Sequence, residues 1–148
     1  MQLTLHTDYA IRVLIYLGTY PGRLVTIGEI ADAYGISRNH LVKVVNGLAR
    51  EGYLETVRGK HGGVRLKRPP DQIRMGEVVR YSEPIHLVEC FDRETDTCPI
   101  TTDCAVRGLL GRALDRFLEE LDGHTLENLL QNAPRLIPLL NPEGDRVG

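Results

Sequence analysis

Three cysteines, Cys90, Cys98 and Cys104, fall within fifteen residues of a 148-residue chain that holds no others. Thiolates bind soft metals and exchange with other thiols, so this crowding marks the place where chemistry is expected. The intervening segment is rich in Asp, Thr and Pro and has no apolar period, which predicts a loop. A structural disulfide fits poorly: the thiols are odd in number, and Met1 to Leu5 lacks the charged and apolar regions of a secretory signal. Zinc would want four ligands and could add His86, four positions before Cys90, to make a Cys3His set. An iron–sulfur cluster usually takes four protein ligands as well, leaving one place for a residue other than cysteine. Cys104 follows Thr101-Thr102-Asp103, where a helix is expected to start, and a helix N-terminus favours anions. Spacing alone leaves zinc, iron and three unliganded thiols open.

Cys98 or Cys104 with His86 could also be read as a thiol hydrolase or peroxidase. Nucleophilic catalysis needs one activated thiol, a base and an oxyanion site in a pocket. The sequence has clustered thiols without that signature, so the expectation is that the protein is not an enzyme.

A second group of residues is defined by charge. Positions 36 to 68 carry eight Lys or Arg against Glu51 and Glu55, a local balance of +6 in a chain of net −2, which leaves −8 elsewhere. Such asymmetry is the footprint of a nucleic-acid reader whose other half meets a different partner. The elements that would position these charges can be read in order. Thr7 is expected to cap a first helix through Leu17, with Ala10, Val13, Leu14 and Leu17 on one stripe. Thr26-Ile-Gly-Glu29 reads as a capping box for a short second helix stopped at Gly35. Ser37 is expected to cap a third, from Arg38 to about Arg50, with Leu41, Val44, Val45 and Leu48 inward and Arg38, Asn39, His40 and Lys43 outward. This is helix-turn-helix spacing.

Beyond Gly52 the period changes to two. Tyr53 to Val57 and Gly63 to Lys67 read as strands of a hairpin whose tip, Arg58-Gly59-Lys60-His61-Gly62, is basic. A helix-turn-helix with a basic hairpin is a winged helix, in which the start of the third helix reads the major groove. The DNA-contacting set is therefore Ser37, Arg38, Asn39, His40 and Lys43, with Arg58, Lys60 and His61 on the wing. Pro69-Pro70 punctuates the chain, and Ile73 to Tyr81 reads as a short helix. Ala105 to Leu121 repeats apolar residues at three- and four-residue steps and ends at Gly123. Little chain remains to cover it, so it is read as a dimerisation helix. Leu126, Leu129 and Leu130 form a last short turn, followed by a frayed tail from Asn141 to Gly148. The fold expected is mainly α with a small β wing: a winged helix-turn-helix domain (1–68), a connecting helix and cysteine loop (69–104), and a dimerisation helix with tail (105–148). No apolar run approaches the roughly twenty residues of a membrane span, and a cytoplasmic protein is expected.

Thr7-Asp8-Tyr9-Ala10, Ser37-Arg38-Asn39-His40-Leu41-Val42-Lys43, Arg58 to Gly63 and the cysteine triplet together resemble the bacterial winged-helix iron–sulfur repressors that include NsrR and IscR. The resemblance runs from residue 1 to about 130 and is strongest to the nitric-oxide-sensing, NsrR-like members. It implies a homodimer that binds operator DNA and takes nitric oxide as its signal. It implies an iron–sulfur cluster on Cys90, Cys98 and Cys104, a 4Fe–4S cluster in preference to 2Fe–2S. IscR-like members use a His three residues after the last cysteine as fourth ligand; Arg107 stands there in this chain. NsrR-like members use an Asp of the first helix of the partner subunit, a place that Asp8 matches. Arg12 stands four residues after Asp8, where an ordinary helix ion pair is the alternative role. The alternative function is a winged-helix regulator with a zinc or thiol redox switch, or one that senses iron–sulfur status.

Overall fold

The computed structural model describes residues 1–141; the expected tail beyond Asn141 lies outside the described residues. Its elements are α1 (Leu5–Thr19), α2 (Ile27–Tyr34), α3 (Arg38–Arg50), β1 (Leu54–Val57), β2 (Gly63–Leu66), α4 (Met75–Ser82), α5 (Ala105–Asp122), α6 (Leu126–Leu129) and α7 (Ala133–Leu140). This is the expected class, mainly helical with one two-stranded wing.

The core is built from the predicted stripes. Ala10, Val13, Leu14 and Leu17 of α1 meet Ile30 and Ala31 of α2 and Leu41, Val44, Val45 and Leu48 of α3, all buried. α1 begins earlier than its sequence suggests. Thr4, not Thr7, is the N-cap, its hydroxyl accepting the Thr7 N–H at 3.3 Å. Thr7 is fully buried inside the first turn, because its own hydroxyl serves a partner 76 residues away. At α2 only half of the capping box forms. Thr26 accepts the Glu29 N–H, while the Glu29 carboxylate goes to Arg23 at 2.8 Å. Gly35 ends α2 at φ +66°, the left-handed conformation that costs glycine nothing. Ser37 stands at the N-cap of α3 but makes no capping hydrogen bond, so its hydroxyl faces outward unspent.

The hairpin pairs Leu54 with Leu66 and Val57 with Gly63, and Glu55 faces Arg65 across it in an ion pair. A third segment fastens the wing to the body: Val25 and Val64 exchange both backbone hydrogen bonds, at 2.9 and 2.8 Å. Gly63 is required there, since a Cβ would lie 2.7 Å from the Val25 carbonyl oxygen.

Beyond the prolines, Ile73 and Val78 extend the same core, and so does Leu126 of α6, fully buried. The Leu126 N–H bonds the Ile73 carbonyl at 2.8 Å, so the C-terminal helices close back onto the α1 layer. α7 has no counterpart in the sequence reading. Pro134 sits in its first turn, where no N–H is needed, and Pro138 falls inside it. α5 is largely uncovered. Leu118 is its only buried residue, while Val106 and Leu109 are 58 % and 56 % exposed.

Candidate functional site

The basic surface is assembled from α3 and the wing. Arg38, Asn39 and Lys43 are exposed at the head of α3, beside the free Ser37 hydroxyl. The Arg38 guanidinium lies over Gly28, where a Cβ would come within 2.9 Å of it, so a bare backbone on α2 lets the arginine lie down. His40 departs from the outward expectation. It is half-buried because its ring meets Tyr9 of α1 edge-on, centroids 4.7 Å apart and planes at 65°. Arg58, Lys60 and His61 are exposed at the hairpin tip, which turns through Gly59 at φ +108°. Among the described residues, Arg38, Lys43, Arg58 and Lys60 have no carboxylate partner, whereas Arg65 and Arg68 pair with Glu55 and Glu77. The first four are therefore available to phosphates and base edges. A further contact escaped the sequence reading: the Arg68 guanidinium stacks 4.2 Å from the centroid of Tyr53, fastening the end of the wing.

The thiol loop follows α4. Cys90, Cys98 and Cys104 are all half-buried and none is in a disulfide. Cys90 lies in a single turn, Glu89–Phe91, and Cys104 is the N-cap residue of α5, as its sequence context predicts. The loop is shaped by its own acidic side chains. Glu89 accepts both the N–H and the hydroxyl of Thr97 at 2.5 Å, and these bonds hold its carboxyl below the usual range. Asp96 accepts the Cys98 N–H and the Thr101 hydroxyl, each at 3.0 Å. Arg107 donates from Nε to the Cys90 carbonyl at 3.1 Å, bridging the start of the loop to the first turn of α5. Glu89 and Asp96 are thus spent on the loop's own N–H and hydroxyl groups.

Three thiols with no disulfide fit a soft metal or an iron–sulfur cluster by donor type. Within the single chain they are not yet gathered: among the described residues, no three His, Cys, Asp or Glu side chains surround a common point. His86 lines an apolar groove of about 360 Å³ with Glu83, Leu87, Leu114, Phe117 and Met1, apart from any such set. Asp8 lies on α1 and grips Arg12 with both oxygens, at 3.0 and 2.8 Å, which raises the arginine's pKa chiefly through that hydrogen bond. Both side chains of this pair are about 40 % exposed.

One further carboxylate went unnoticed in the sequence. Glu83 caps the end of α4, immediately before the loop, and one of its oxygens accepts the Thr4 N–H (2.9 Å), the Thr4 hydroxyl (2.9 Å) and the Thr7 hydroxyl (2.5 Å). Burial pushes its carboxyl up, but the bonds from Thr7 and Thr4 outweigh that, and the net direction is down. Nothing local in the sequence pairs position 83 with position 7; the contact exists only in three dimensions.

Residues 3–132 match the family model described as Rrf2, an iron-dependent transcriptional regulator. The chain belongs to the Rrf2 family. Solved structures agree with that. The global cysteine regulator CymR of B. subtilis is 28% identical over 87% of this chain and 95% of its own, with a TM-score of 0.68. The oxidised form of Staphylococcus aureus CymR is 26% identical over 88% of this chain and 97% of its own, with a TM-score of 0.69. IscR of T. potens, 23% identical over 90% and 88%, has the same fold at a TM-score of 0.72. Rrf2 regulators bind DNA, typically as dimers, and act as transcriptional regulators rather than enzymes. This chain is thus a transcriptional regulator with the winged-helix fold of that family. No helix among the described residues is long and apolar enough to cross a membrane.

Proposed function

We propose that this protein is an NsrR-like repressor, which binds operator DNA as a homodimer through α3 and the wing and releases it when an iron–sulfur cluster on its thiol loop is nitrosylated or lost. The observation that supports this reading is the state of the thiols: all three are unpaired, half-buried and on one loop that leads directly into α5. Cys90, Cys98 and Cys104 would hold the group as thiolates, and Asp8 of the other copy would take the fourth place. A 4Fe–4S cluster is favoured over 2Fe–2S. Bound there, iron would supply the atom to which nitric oxide bonds.

This chain's residues have separate parts in that function. Asp8 would exchange its exposed pair with Arg12 for ligation, a substitution that costs only a few tenths of a kcal/mol. Its oxygen donors bind iron less firmly than thiolates do, so Asp8 would be the weakest of the four corners. Ser37, Arg38, Asn39, His40 and Lys43 would meet the major groove, and Arg58, Lys60 and His61 the phosphates beside it.

Operator binding measured without oxygen, at one salt concentration, tests the reading on cluster-loaded, nitrosylated and cluster-free protein. A coupling of about 1–3 kcal/mol would separate their affinities by roughly 5- to 150-fold. Equal affinities for all three forms would refute the switch.

A second reading has its own support. The thiols do not converge in the single chain, and one similar structure is an oxidised form of CymR. In that reading the cysteines respond directly as a zinc or thiol redox switch, or the protein reports iron–sulfur supply instead of nitric oxide. Iron, zinc and sulfide contents of protein purified without oxygen distinguish these cases. Iron and sulfide in equal amounts favour a cluster, which a comparison of operator release by nitric oxide and by cluster loss then assigns to one signal or the other; their absence favours the zinc or thiol switch.

A further inference from the structure

We propose that Tyr9 is a positioning residue for base recognition, its ring fixing the imidazole of His40 at the head of α3. The inference rests on DNA binding through α3. His40 is the third residue of α3, in the turn that enters the major groove of winged-helix proteins. Its neighbours Ser37, Arg38 and Asn39 are exposed, free to change rotamer. His40 alone among them is half-buried, and what covers it is an aromatic ring from another helix.

The geometry is that of a favourable contact. Edge-on aromatic pairs prefer centroids about 4.5–7 Å apart, and this pair stands at 4.7 Å and 65°. An unsupported histidine samples several χ1 wells and a broad χ2, and each must be given up when it meets a base. The Tyr9 ring removes that freedom in advance, so less is lost on binding.

Tyr9 is itself held from behind. Ala10 and Val13, its neighbours on α1, lie in the core. The Arg12 guanidinium sits 5.7 Å from the Tyr9 ring centroid and 5.7 Å from that of Tyr34. Arg12 is fixed in turn by both oxygens of Asp8, and its carbonyl accepts the Tyr34 hydroxyl at 3.1 Å. His40 is thus braced by α1 rather than by its own helix. An imidazole held this way offers a ring N–H to an acceptor, and the chemical class it would meet is a purine edge, N7 or guanine O6.

The test uses a duplex selected by the intact protein from a pool of random sequences, and variants of it changed one base pair at a time. Affinities are measured at one salt concentration on full-length protein of fixed iron content. His40→Ala should lower discrimination at one base pair of each half-site by roughly tenfold. Tyr9→Leu should lower discrimination at that same base pair by several-fold and at no other, with affinity for unrelated DNA and the salt slope unchanged. Tyr9→Phe, which keeps the ring, should retain it. Tyr9→Leu added to His40→Ala should cause no further loss. Should Tyr9→Leu melt early, Tyr9→Met, whose unbranched chain adapts to an irregular gap without an aromatic ring, serves in its place. A uniform loss of affinity on every sequence would make Tyr9 merely a fastener of α1 and overturn the proposal. So would lost discrimination at a base pair that His40→Ala leaves untouched, or no effect of His40→Ala at all.

Discussion

Replacing Glu83 by Gln removes the charge from the carboxylate that joins the end of α4 to the first turn of α1, while leaving the side chain's shape. One oxygen of Glu83 receives three donors, from Thr4 N, Thr4 Oγ1 and Thr7 Oγ1. A hydrogen bond to a charged group contributes about 1.5–3 kcal/mol against about 0.5–1.5 for a neutral one, and three that share one atom are not additive. The site is only partly buried, which discounts the difference further. The expected loss is therefore about 1–2 kcal/mol at neutral pH, or roughly 3–7 °C in Tm. Glu83→Ala should cost more, because the buried Thr7 hydroxyl then has no acceptor there. The effect has a pH signature. The folded carboxyl titrates below its ordinary value of 4.5, so its contribution is complete above about 4.5 and is lost as pH falls through the lower folded value. Urea unfolding of both proteins, at one protein concentration and a series of pH values, should show a constant gap above about pH 5.5. The gap should close in more acid solution. A gap that is absent at pH 7, or that persists unchanged at pH 3, would refute the assignment of Glu83 as an ionised latch.

Other outcomes follow from particular contacts. Val106→Glu with Leu109→Glu places two charges on the exposed apolar face of α5; sedimentation should show a monomer with unchanged helix content, and operator affinity should collapse. Gly63→Ala drives a Cβ to 2.7 Å from the Val25 carbonyl oxygen, so it should destabilise by about 1–3 kcal/mol and increase hydrogen exchange in β2 before α3. Lys60→Ala should weaken binding to all sequences alike and reduce the salt slope by about one, whereas Arg38→Ala should relax base preference. Loss of specificity to the same degree in both would contradict that division between wing and helix.

The regular elements were legible where local physics decides them. The stripe Ala10, Val13, Leu14, Leu17, the inward set of α3 and the pairing of β1 with β2 are as the periods predict, although Leu54 and Val64 are the only buried residues of the two strands. The errors lie where a distant partner competes for a local group. Thr7 reads as a cap until Glu83 takes its hydroxyl, and Glu29 reads as half of a capping box until Arg23 takes its carboxylate. α7 was not read from the sequence: it carries Pro134 and Pro138, residues that disfavour a helix interior, and it packs through Leu140 onto the core. The exposed basic residues of α3 and the wing were placed by charge and helix position, but the covering of His40 by Tyr9 joins side chains 31 residues apart. No window along the chain contains both. The thiols were found by type, and what brings donors together is beyond the reach of spacing.

In a dimer joined along α5, the placement of the two α3 helices would follow from a sequence of stiff contacts. At its C-terminal end α5 is clamped to α4: Arg80 grips Asp122 at 2.6 and 2.7 Å, and Arg74 donates to the Asp122 carbonyl at 2.9 Å. Glu83 ties α4 to α1, and the shared core ties α1 to α3. A seam on the exposed face of α5 would therefore set the separation of the two α3 helices, which must match the roughly 34 Å between successive major grooves. The one stretch on this path without a buried residue is the thiol loop and the N-terminal part of α5, from Pro84 to Phe117. An α-helix of 18 residues is about 27 Å long. A tilt of about 10° around its anchored end would move the other end by roughly 5 Å, more than the spacing of one base pair. A change confined to the loop would then shift the register of the reading heads without disturbing the fold of either, and a sensor needs no larger motion than that.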